Sequence, residues 1–202
     1  MTADACAHPG WTTRAQARYR EVTTVRLQPQ HLRAGGLPVV AVGEVLEVAP
    51  VLYLSEVDDL RCRPARAWEA GPFGIVGACG VVGEPRVLRE DGGALGVEIL
   101  EVGDREVVVN SAGLGDVEPL EPGRRVFVEG SFYLDVDLVA AETSVPVPMR
   151  GRYRLAAVRR HRPVPGGSPR EEGLHRVPRP EDVDPEVFLH VADLLGPVRT
   201  QP

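Results

Sequence analysis

The sequence predicts a mainly-β protein: a small antiparallel barrel with extra N-terminal strands and a C-terminal helix. Three observations predict it. Residues 126–138 alternate apolar and polar side chains, the two-residue period of a strand with one buried face. Two turn signals, Asp91-Gly92 and Gly103-Asp104, separate three runs rich in Val, Ile and Leu. The 202 residues include 22 Gly and 19 Pro, a usage that suits many short strands joined by turns.

Residues 1–20 are polar and mixed, and are expected to be an N-terminal extension to a barrel domain spanning 21–162. Glu21 to Leu27 is rich in β-branched residues and reads as a strand. Gln28 to Leu37 is a connection. Pro38 to Leu54 is a long apolar run whose valines favour strand over helix, with Gly43 and Pro50 bending or breaking it. Glu56 to Ala70 is polar and interrupted by Pro64, which leaves loop and short helix both open.

Phe73 to Leu88 reads as a long bent strand. Its small residues Gly74, Gly77, Ala78, Gly80 and Gly83 let neighbouring backbone approach closely. After the Asp91-Gly92-Gly93 turn, Ala94 to Val102 and Arg105 to Ala112 complete an antiparallel meander. Gly113 to Gly123 holds three Gly and two Pro and reads as a connection. In the next strand Val126, Val128, Phe132, Leu134, Val136 and Leu138 are expected to face inward. Gly130 interrupts that face where a barrel corner needs room. Arg152 to Val158 is a further strand. Residues 163–183 have the composition of a flexible linker. Residues 184–196 carry helix signals: Asp184 as cap, Pro185 at the first position, and Val187, Val191, Leu194 and Leu195 as an apolar stripe. Gly196-Pro197 stops it.

The five strands between Phe73 and Val164 resemble an OB-fold barrel. The resemblance is carried by GIVGACGVVGEPRVL (74–88) as first strand and PGRRVFVEGSFYL (122–134) as fourth. Within the latter, VFVEGSF (126–132) has the pattern apolar-x-apolar-x-Gly-x-apolar. The resemblance implies a partly open Greek key of five strands, with Arg152 to Val158 as the fifth. One departure is the segment 113–123, too rich in Gly and Pro for the helix that OB-folds commonly place between their third and fourth strands.

Composition excludes several chemistries. All 23 basic residues are Arg. Without Lys the chain cannot form a Schiff base, complete a P-loop or supply the strand Lys of a protein kinase. A GC-rich coding sequence accounts for much of the Arg excess. The net charge of −6 argues against a bulk polyanion binder. Three cysteines at wide spacing are no disulfide framework. No secretory signal and no run of about 18 apolar residues is read, so a cytoplasmic protein with no membrane association is expected. No cofactor and no metal are expected.

The candidate sites are few. Asp135 and Asp137 lie on one strand face, about 7 Å apart, a spacing that a catalytic carboxylate pair could use; the alternative is a solvated face. Cys6, His8, Cys62 and Cys79 bring one closely spaced ligand pair where a structural zinc site brings two. Ser111 lacks a nucleophile elbow. The Gly-rich stretch 74–83 continues as strand, where a phosphate cradle would turn into a helix. The strongest local feature is basic: Arg150, Arg152, Arg154, Arg159, Arg160 and Arg162 within thirteen residues that hold no acid, with Tyr153 among them.

Three functions follow. The leading expectation is a non-catalytic binding or adaptor module that meets a protein partner. The second is a single-stranded nucleic-acid binder using Arg152, Tyr153, Arg154, Arg159, Arg160 and Arg162, with Tyr153 stacked on a base. In the competing account, the same arginines pair with acids of a partner or of the chain's own barrel. The third is an enzyme built on Asp135 and Asp137.

Overall fold

The structure, a computed structural model, describes residues 22–58, 68–87, 96–114, 120–135, 138 and 146–197. The elements are β1 (Val22–Leu27), α1 (Pro29–Arg33), β2 (Val45–Val48), β3 (Pro50–Asp58), β4 (Trp68–Ala70), β5 (Ile75–Val82) and β6 (Arg86–Val87). They continue with β7 (Gly96–Val102), β8 (Arg105–Asn110), β9 (Arg125–Leu134), β10 (Gly151–Arg162), β11 (Arg170–Leu174) and β12 (Leu189–Leu195).

Five strands close on themselves. β5 pairs β7, β7 pairs β8, β8 pairs β3, β3 pairs β9, and β9 returns to β5. Four of these contacts are antiparallel; β3 and β8 run parallel. The barrel is therefore as expected, but its fifth member is 50–58 and not 152–158. Pro50, read as a break in the apolar run, stands at the start of this strand, where its missing N–H costs the ladder least.

A second sheet grows from the barrel wall. One edge of β9 is taken by β5 from Arg125 to Ser131, and then by β1 at Phe132 and Tyr133. β1 pairs β12, and β12 pairs β10. The far edge of β10 is covered by β2 at 151–154 and by β11 at 158–162. Strand β9 is thus common to both sheets.

The inward positions that predicted β9 hold, although Phe127 and Ser131 on its other side are buried too. Val126, Val128, Phe132 and Leu134 are all buried in one continuous core. That core runs from Leu52, Val76 and Leu100 in the barrel to Val25, Leu155 and Leu194 in the second sheet. The strand ends at Leu134. Val136 lies outside the described residues, and Leu138 is buried in a separate cluster with Ala49, Val51, Ile99 and Val108. Gly130 faces a bulge in β3, and a Cβ there would overlap the carbonyl of Tyr53.

Two expectations at the C-terminal end are corrected. Residues 163–183 are more than a linker, because Arg170–Leu174 form β11 on the edge of β10. The segment 184–196 is not a helix. Asp184 does cap, accepting a hydrogen bond from the Glu186 amide at 2.8 Å, but the capped unit is one turn. Residues 189–195 then run as β12 between β1 and β10. A central strand buries both faces, so Val191, Ala192 and Leu194 read equally well as a helical stripe. Ladder partners on both edges decide for strand.

Candidate functional site

The Arg strip lies on β10, and register explains its fate. Arg160 faces Glu172 of β11 directly and donates two hydrogen bonds of 2.9 Å to its carboxylate. Arg159 donates to Oδ1 of Asp193 on β12 at 2.8 Å; the same oxygen accepts the Thr24 hydroxyl at 2.7 Å. Arg162 sits 2.6 Å from Asp184, with Glu186 at 3.6 Å. Arg154 donates to the Gly43 carbonyl at 3.0 Å. Arg150 lies 3.4 Å from Glu47. Arg152 extends into solvent. Three of the six candidate residues, Arg159, Arg160 and Arg162, are thereby neutralised by acids of the same chain.

Tyr153 corrects the stacking expectation. Its ring is buried among Leu46, Leu155 and the rest of the core, and its hydroxyl donates to the Met149 carbonyl at 2.7 Å. Burial pushes its phenol pKa up to about 12. No base can reach it. Strand alternation is the reason: Arg152 and Arg154 point outward, so Tyr153 points in.

The other candidates take structural roles. Asp135 accepts a hydrogen bond from the Leu138 amide at 3.0 Å; Asp137 lies outside the described residues. Ser111 donates to Glu98 at 2.6 Å. Cys79 is buried against Phe127, while Cys6, His8 and Cys62 lie outside the described residues. Among the described residues no group of three or more His, Cys, Asp or Glu is placed to hold a metal. Nor is any described helix long and apolar enough to cross a membrane.

A different cluster emerges on the outer face of the second sheet. The chain has four Phe. Phe127 and Phe132 are core, whereas Phe73 and Phe188 are 38% and 48% exposed. They stand side by side, ring centroids 6.2 Å apart. Phe73 has a φ of 55°, a left-handed conformation that a bulky residue adopts only at a cost, and Gly74 follows at 74°. Arg26 of β1 holds this turn by donating to the Phe73 carbonyl at 3.0 Å. The Phe73 ring meets His161 edge-on at 5.3 Å, and Phe188 lies 6.3 Å from the same imidazole.

His161 lies against the two rings, while His190, cross-strand from Arg160, sits on the other face of the sheet. His161 is 5% exposed and His190 1%. Burial lowers the pKa of His161; Glu171 opposes this and Arg159 reinforces it. His190 is lowered to about 4, first by burial and then by Arg160, with Asp184 opposing and His161 adding. Its Nδ1 is buried with no hydrogen-bond partner. Sequence reasoning missed this cluster because its members come from residues 73, 161 and 188, with His190 behind them in the sheet. The available signals were the Pro72-Phe73-Gly74 turn and the scarcity of Phe, which makes two outside the core informative.

The chain matches no family model, no curated protein and no solved structure.

Proposed function

We propose that this chain is a non-catalytic binding module that docks a protein partner on the Phe73–Phe188 surface. The observation that carries the reading is a contrast. Arg159, Arg160 and Arg162, half of the strip that would attract a phosphate backbone, are paired with acids within the molecule, while two large aromatic rings are held out to solvent, one of them at a backbone cost. A partner that covers both rings gains apolar burial at about 25 cal/mol per Å2. Aromatic anchors of this kind dominate protein interfaces. The five-strand closure supports an OB-like reading of the barrel, with β3 in the fifth place. The nucleic-acid reading has lost its stacking residue and much of its free charge. The Asp135–Asp137 reading has lost a free carboxylate at Asp135. A reducing, cytoplasmic setting suits three cysteines at wide spacing.

The test is site-specific cross-linking. With photo-reactive benzoylphenylalanine replacing Phe188, discrete protein adducts are expected in extracts of the source cells. They should be weakened by Phe73→Ala and absent with the probe at Val164, which is exposed elsewhere. Adducts that ignore Phe73→Ala would overturn the reading. So would a salt-dependent shift of single-stranded DNA or RNA without protein adducts.

A further inference from the structure

The exposed aromatic pair rests on an ionisable base. Phe188 belongs to the turn 184–188, which is tied to β10 at three points. Its amide donates to the His161 carbonyl at 3.2 Å, its ring packs by the His161 imidazole, and Asp184 takes the Arg162 guanidinium at 2.6 Å. Just beyond the turn, His190 enters the sheet with its side chain almost wholly buried.

The groups around the two imidazoles treat an added proton differently. His161 has Glu171 of β11 at 3.8 Å from Nε2, so its cation would meet a carboxylate. His190 pairs with Arg160 across β10, and on the β1 side it meets Leu27, which is apolar. Arg160 is itself bound to Glu172, whose carboxylate is therefore taken. Asp184 is the acid that acts on His190, and it is already held by Arg162 and the Glu186 amide. Glu186 beside Arg162, and Arg159 and Asp193 on the outer face, complete the charged surroundings. A protonated His190 would gain a second N–H donor inside a site where one nitrogen already lacks a partner. It would also carry charge beside a guanidinium.

We propose that His190, with His161, is a proton-operated latch on the Phe73–Phe188 surface. Neutral imidazoles let the 184–188 turn lie against β10. A proton on His190 drives that residue toward water, pulls the start of β12 out of the sheet and lifts Phe188 away from Phe73. The docking surface is then taken apart at acid pH. This adds regulation to the proposed binding site; only its consequence for a partner rests on that reading, since the movement belongs to the chain alone.

The experiment uses the isolated full chain. Amide hydrogen exchange, corrected for intrinsic rates, is followed from pH 7.5 to about 3.5 at Phe188, Leu189 and His190, with β9 as internal reference. Protection in the turn should fall by about tenfold or more while β9 keeps its own, because local opening is independent of global unfolding. His190→Gln, which cannot take the proton, should abolish the fall. As a readout on the wild-type chain, the imidazole carbon shifts of His190 should titrate with the same midpoint as the loss of protection. Unchanged protection at 188–190, a fall that persists in the variant, or two distinct midpoints would each overturn the latch. If His190→Gln does not fold, the wild-type midpoints decide. Failure here leaves the cross-linking result standing, and failure there leaves this one standing.

Discussion

Replacing Gly130 by Ala drives a methyl group into the backbone of the strand that closes the barrel. Gly130 pairs with Leu54 at the bulge in β3. An added Cβ would overlap the Tyr53 carbonyl oxygen and stand 3.0 Å from the Tyr53 carbonyl carbon and 3.1 Å from Leu54 Cα. All three are backbone atoms, so no side chain can turn aside. The strands must part, and the ladder bonds on either side of the contact stretch. Two weakened bonds at about 1 kcal/mol each, with an overpacking cost of about 1–3 kcal/mol, give a loss of about 3–5 kcal/mol. Urea unfolding followed by Trp68, whose ring lies 5.9 Å from that of Phe132, reads the change. Gly173→Ala is the control: nothing lies within 4 Å of its Cβ, so stability should move by less than about 0.5 kcal/mol. A Gly130→Ala protein within about 0.5 kcal/mol of the parent would refute the close-approach argument.

Two further outcomes follow. Tyr153→Phe removes the hydroxyl that holds the carbonyl of Met149, itself at φ 61°, and should cost about 1–2 kcal/mol in urea unfolding; a neutral result would mean that water replaces the bond. Global stability should also fall with acid through His190. Above pH 6.5 the imidazole is neutral in both states; between 6.5 and about 4 only the unfolded chain takes the proton; below that both do. About 3 kcal/mol should be lost across that window, as the difference between the parent and His190→Gln. Parallel pH profiles of the two proteins would count against it.

Much of the barrel was legible because local pattern and final environment agree. Val126, Val128, Phe132 and Leu134 all face the core, and Gly103 at φ 68° makes the two-residue turn between Val102 and Arg105. The C-terminal strand was not legible, since burial on both faces erases the period of two, and Asp184-Pro185 opens a turn as well as a helix. The fifth barrel place was misread because 50–58 precedes the other four in the chain, and parallel pairing with β8 leaves no local mark. The fate of the arginines depended on partners far along the sequence: Glu172 is 12 residues from Arg160 and Asp193 is 34 from Arg159. Tyr153 was misplaced despite a clear clue. Once Arg152 and Arg154 are taken as outward, the residue between them must turn in.

The Thr24–Asp193 bond spans 169 positions, and β12 fills the slot between β1 and β10. A ribosome making this chain would therefore release β1 long before, and β10 shortly before, the strand that belongs between them. Until Leu195 is synthesised, both present bare ladder edges, which are templates for wrong pairing. Order in this half of the molecule is set by the last strand to arrive, and a shortened chain would leave an open seam through its centre.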